Sequence, residues 1–316
     1  MSAGPVQRPL RTSQDSASGP GGSIYDLGYQ AYKGPRLGRG SSALALFWHS
    51  VRSSFGIGRG GRAKIAPFVL AGLAILPAVL AVGIAALAAQ AGRFVALAET
   101  SPIRYETYHG VVSALIMLFC AAQAPELFGR DQRYGVLPLY FSRTLTRLDY
   151  ALAKTGGLVV VLFLVDVVPQ FILFGGRVLV APDPVTGITA EAGAISRFLL
   201  QGMLVAGLFG GIASLIAAWT PRRAYATATI IAFFIVPPII VGLVANLTSQ
   251  DLARFLVVVS PADILDGTNA AIFGNVPDSP TVAALGLPGW VYLVAAAVGV
   301  IGCIVLTIRR FLRISA

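Results

Sequence analysis

Six apolar runs set the terms on which this chain can fold: 65–90, 108–128, 155–180, 197–219, 224–245 and 290–308. Each is close to the roughly 20 helical residues that cross a bilayer's hydrocarbon. In that medium every backbone amide must find its partner within the segment, which a lone helix achieves and a lone strand does not. The sequence therefore predicts an all-α integral membrane protein with six transmembrane helices. Composition agrees, with 56% hydrophobic and 12% charged residues, against about 25% charged in a soluble domain. A soluble chain of 316 residues would hold about two domains. Here a single six-span domain over 61–316 accounts for the length.

The net charge of +10 raises the question of a nucleic-acid partner, and its distribution supplies another reason for it. Laid along six spans, five of the 24 Lys and Arg residues (Arg93, Arg104, Arg177, Arg197 and Arg254) fall on one side and the other 19 on the opposite side. Basic residues collect on the cytoplasmic side of membrane proteins. Both termini and the loop 126–154 are therefore expected to be cytoplasmic, and no nucleic acid is needed as a partner. Residues 1–42 are rich in Gly, Ser, Pro and Gln, contain no apolar signal-like core, and are expected to form a disordered cytoplasmic tail. Within them Tyr25, Tyr29 and Tyr32 interleave with Lys33, Arg36 and Arg39, a mixture suited to lipid headgroups.

Over 43–60 the pattern changes. Leu44, Phe47, Trp48, Val51 and Phe55 share one face of a helix, with His49, Arg52 and Ser53 opposite. This predicts an N-terminal interfacial helix in the plane of the inner leaflet, with His49 exposed.

Inside the spans, Asp166 stands near the middle of the third, where a carboxylate costs about 2.5–3.5 kcal/mol on insertion scales. Pro169 and Gln170 follow on the same helix. Two roles fit Asp166: a group on a substrate or proton path, or a buried interhelical hydrogen bond. Gly207 and Gly211, with Gly202 and Gly210, allow close helix approach in the fourth span. Pro237–Pro238 should bend or break the fifth. Catalytic patterns are absent: no phosphate-binding G-x-x-x-x-G-K-[ST] loop, no H-E-x-x-H, and no C-x-x-C around Cys120 or Cys303. His49 and His109 fall on opposite sides of the expected membrane and cannot share a metal.

The polar stretch between the second and third spans, ELFGRDQRYGVLPLYFSRTLTRLDYALAK (126–154), carries the most specific pattern. Asp131 precedes Gly135, an apolar core follows through Val136, Leu137 and Leu139, and Ser142-Arg143 and Thr146-Arg147 complete it. This resembles the first cytoplasmic loop of ABC-2 type transporter permeases, with weaker likeness over 24–70 and 246–275. Thr144 stands where that family usually has Pro, and Asp131 where it usually has Glu.

The resemblance implies a coupling helix docked on a separate ATPase, with Asp131, Arg133, Gly135, Tyr140, Arg143 and Arg147 as contacts. A short amphipathic helix with Leu137, Leu139 and Phe141 available for burial suits such a groove. By the same resemblance the chain is the permease of a bacterial exporter in the cytoplasmic membrane, not itself an enzyme. It would pair with a second permease copy or paralogue and with two ATPase subunits, which bind ATP and Mg while this chain holds no cofactor. The substrate path would run between spans two and five. Met117, Phe119, Phe233 and Phe234 there suit a hydrophobic or amphipathic substrate such as a drug, antibiotic or lipid. The external segment 246–289, acidic through Asp251, Asp263, Asp266 and Asp278, matches the family's re-entrant helices in position; a plain surface loop is the alternative. A proton-coupled secondary transporter using Asp166, without an ATPase, is the competing functional reading.

Overall fold

The computed structural model describes residues 34, 37–90, 103–142 and 145–314. Most of the expected tail, Arg93, Arg143 and Thr144 lie outside them. The described residues form helices and no strand: α1 (Arg39–Ser54), α2 (Arg62–Gln90), α3 (Tyr105–Arg133), α4 (Leu137–Phe141), α5 (Arg147–Val180) and α6 (Pro184–Trp219). They continue as α7 (Arg223–Leu247), α8 (Gln250–Val257), α9 (Pro261–Phe273), α10 (Pro280–Leu285) and α11 (Gly289–Leu312). Among them α2, α3, α5, α6, α7 and α11 are long and apolar enough to cross a bilayer. The chain is a multi-pass helical membrane protein.

Burial sorts these six helices into centre and rim. In its most apolar stretch α6 is 67% buried, whereas α2, α7 and α11 are each 17% buried. The rim helices therefore turn large side chains such as Ile84, Ile239 and Val298 outward, as lipid contact requires. Glycines set the spacing at the centre. A Cβ on Gly202 would lie 2.4 Å from Val167 of α5, and one on Gly210 would lie 2.8 Å from Val159 of α5. On another face, Cβ atoms on Gly207 and Gly211 would come within 3.1 Å of Val300 and Cys303 of α11. The small residues of the fourth span thus seat two partners.

Helix starts follow capping chemistry. Thr146 and Asp149 form a reciprocal capping box at the start of α5. Asp183 accepts the Thr186 amide and Pro184 occupies the first turn of α6, so α6 begins well before residue 197. α7 continues through Pro237 and Pro238 without interruption, so of the bend or break expected there the break does not occur.

α1 begins inside the expected tail and packs along α5. Its buried face is Leu46, Ser50, Val51 and Ser54, and a Cβ on Gly157 would lie 2.6 Å from Ser50 Cβ. The small-residue side of α1 meets the bundle. Leu44 and Trp48, from the expected apolar face, are exposed, as is His49.

The segment after α7 folds back into the bundle. α8 and α9 together have the apolar length of a span but are bent by 87°. α9 is buried along Ile264, Leu265, Gly267 and Asn269. Gly267 permits its contact with the Tyr292 ring of α11, because a Cβ there would sit 2.4 Å from the ring. Asp266 accepts the Asp278 and Ser279 amides, both at 3.0 Å. Thr281 returns beside Gly242 of α7.

Candidate functional site

The polar residues between α3 and α5 form an elbow built from both helices. Pro125–Gly129 adopts a π-helical turn, a widening often found at functional positions. α3 ends at Arg133, and the chain reverses at Gly135, whose φ of +62° favours glycine. α4 then carries Leu137 inward at 6% exposure and Leu139 outward at 69%.

Beneath the elbow lies a buried ion pair. Lys154 Nζ is 2.9 Å from Asp131 Oδ2 and donates to the Leu127 carbonyl at 2.9 Å. The Tyr150 hydroxyl donates to the same Asp131 carboxylate at 2.9 Å. Tyr150 is also an aromatic hub, with ring centroids 5.5 Å from Tyr140, 5.8 Å from Phe141 and 5.1 Å from Phe311. Burial first, and then Asp131, raise the Tyr140 hydroxyl above its ordinary pKa.

Further polar contacts join the elbow to its neighbours. Glu126 lies 2.8 Å from Arg223 of α7 and 3.5 Å from Arg59 before α2. Gln132 donates to the Ala218 carbonyl of α6 at 3.2 Å. Arg147 donates to the Leu312 carbonyl of α11 at 3.1 Å and lies 5.7 Å from the Phe141 ring centre. Arg39 of α1 makes two contacts with the Asp149 carboxylate, at 2.6 and 2.9 Å.

The expected contact residues therefore divide. Arg133 and Gly135 are exposed; Asp131 and Arg147 are engaged inward; Tyr140 is half-buried on Tyr150; Arg143 lies outside the described residues. Tyr134, 71% exposed, joins Arg133 and Leu139 on the outer surface. Glu126, Tyr150 and Lys154 escaped the sequence reading. The capping box at Thr146 was the signal for Lys154, because it starts α5 early enough to carry the lysine under the elbow.

Asp166 is fully buried between α5 and α6. Gln170 Nε2 donates to Asp166 Oδ2 at 3.2 Å and to Gln201 Oε1 at 3.1 Å. Asp166 Oδ1, Gln170 Oε1 and Gln201 Nε2 have no partner among the described residues. A glutamine inside an apolar run was the available signal for Gln201.

The aromatic candidates occupy different settings. Phe119 is fully buried, 6.2 Å from Phe55 between ring centres, and Phe234 stacks on Phe209 at 4.2 Å. Met117 is half-buried. Phe233, 40% exposed, lines an apolar cavity of about 470 Å³ with Leu208, Ile264 and Val298. The described residues include no His, Cys, Asp and Glu cluster suited to a metal.

No protein-family model matches this chain, and no curated protein matches it in sequence. Its own residues carry the assignment: a helical membrane protein with six candidate spans, of the general form of a membrane transporter.

Proposed function

We propose that this chain is the permease subunit of an ATP-driven exporter of the ABC-2 type, moving a hydrophobic or amphipathic substrate outward across a bacterial cytoplasmic membrane. The observation that carries the reading is the elbow between α3 and α5. It presents Arg133, Tyr134 and Leu139 on a base joined to α1, α6, α7 and α11. A separate ATPase pressing on that surface moves several helix ends together. ATP drives the change only by binding one arrangement of the complex more tightly than the other. A second permease copy and two ATPase subunits complete the assembly, with both termini on the ATPase side and α1 lying along the inner leaflet. ATP and Mg belong to the ATPase, and this chain performs no catalysis.

The test is co-purification with a co-expressed candidate ATPase subunit. Arg133→Glu with Leu139→Asp alters exposed side chains and leaves the Lys154–Asp131 pair intact. A loss of assembly of at least about tenfold, a charged side chain in an apolar contact costing more than 1.4 kcal/mol, is the expected result, with the thermal transition unchanged. Equal assembly in both proteins would falsify docking at this surface. The competing proton-coupled reading rests on the carboxylate of Asp166, fully buried without a cation beside it among the described residues. It gains the lead if no ATPase binds and a pH gradient alone drives uptake that Asp166→Asn abolishes.

A further inference from the structure

At the end of the bundle away from the elbow, a cavity of about 300 Å³ opens between α2, the end of α5 and the start of α6. That is the small end of the range for ligand sites, suited to a headgroup and the first part of a chain. Ala81, Val82 and Ala85 of α2 face Leu173 of α5 and Ala190 of α6 across it. Its charged groups among the described residues are Arg177 and Glu191, whose Nη1 and Oε1 are 3.2 Å apart, with side chains 25% and 22% exposed. The guanidinium lies 5.1 Å from the ring centre of Tyr105. The buried Tyr105 hydroxyl lies beside the Glu191 carboxylate. A single hydrogen bond joins the two charged groups, which leaves guanidinium donors and carboxylate lone pairs unused among the described residues.

The location fits an amphiphile. Arg177 stands in the last turn of α5, where hydrocarbon gives way to headgroups. At 1.5 Å per residue, Ala81 to Ala85 lie roughly 8–14 Å inward from the end of α2. The polar groups therefore occupy the shallow part of the cavity and the apolar wall the deeper part. A ligand of one charge leaves one member of the ion pair uncompensated in a site largely out of water. A head carrying both phosphate and ammonium satisfies both, and phosphate suits the guanidinium fork.

We propose that this cavity binds a zwitterionic glycerophospholipid of the adjoining leaflet. Its phosphate lies on Arg177, its ammonium on Glu191, and the upper part of an acyl chain along Ala81, Val82 and Leu173. The proposal rests on the cavity and its ion pair, independently of what energises transport.

Photolabelling tests it on the full chain in maltoside micelles. Phosphatidylethanolamine and phosphatidylglycerol, each with a diazirine in the acyl chain, are added at equal mole fraction in separate samples. The expected result is labelling centred on residues 81–85 and 173, at least fivefold stronger with phosphatidylethanolamine. Glu191→Gln leaves a net positive site and is expected to reverse the preference. Ala190→Trp, placed at an exposed lip, is expected to remove the labelling while the ion pair and the thermal transition persist. Labelling spread evenly over the outward helix faces, or equal for the two lipids in the unaltered protein, overturns the proposal. If a variant loses its thermal transition, the comparison of the two lipids on the unaltered protein decides.

Discussion

Lys154 shows how much one side chain settles at the elbow. It is 3% exposed, and a lysine in such a place stays charged only beside a compensating group. Asp131 and the Leu127 carbonyl compensate it, which draws the last turns of α3 against the start of α5. Lys154→Met leaves the Asp131 carboxylate half-buried with Tyr150 alone, and breaking a buried pair in this way costs about 3–5 kcal/mol. The double change Asp131→Leu with Lys154→Met removes both charges and is expected to recover most of that loss. Thermal unfolding in detergent separates the cases, and additive losses would mean that the two groups do not act as a pair. The sequence reading placed Asp131 on the docking surface because its charge and position fit the resemblance. Its inward direction depends on where α5 begins, which spacing alone does not reveal.

At the scale of elements, the spans were legible because about 20 apolar residues in succession have few other uses. Their ends were less legible. The stretch 184–196 contains Thr, Glu and Gly, so its hydropathy is weak, yet the Asp183–Pro184 cap starts α6 there. The side of α1 that meets the bundle was not legible either. Its large apolar residues were expected against lipid, and Leu44 and Trp48 are indeed exposed, while close approach to Gly157 sets the side with Ser50 and Ser54 against the bundle. His49 consequently stays near the bundle without entering it. Although its ring is exposed, the partial loss of water where α1 meets the bundle, and next the charge of Lys154, hold its imidazole below its ordinary value of 6.5. As pH falls through about 6.5, the detached helix takes up a proton before the attached one does, so attachment weakens from there down to the lowered bound-state value. Amide protection factors in α1, corrected for the intrinsic pH dependence of exchange, are expected to fall between pH 7 and 5 and to stay level over that range in His49→Gln. Equal pH dependence in both proteins would show that another group is responsible.

The whole molecule is assembled around α6, which meets α5 on one side and α11 on another through glycine. Gly202→Val puts a methyl-bearing carbon where Val167 stands, and overpacking of this kind costs about 1–3 kcal/mol. Gly211→Leu is expected to disturb the seat of α11 by a similar amount. Gly193→Ala serves as the control, since a Cβ there meets nothing within 4 Å; a helical alanine in place of glycine should be neutral or stabilising by up to about 1 kcal/mol. Unfolding midpoints for the three variants check the order, and a control as damaging as Gly202→Val would show that α6 resists any added carbon. These glycines were visible in the sequence as a packing pattern, but which partner each one faced was not. Side chains make ridges that lock one helix against the next, and at these two seams the valines of α5 and α11 enter glycine notches of α6 while Leu208 of α6 enters one at Gly299 of α11. Such a two-sided joint fixes the register of α6 against both neighbours, so a displacement of α6 at one membrane surface carries α5 and α11 with it.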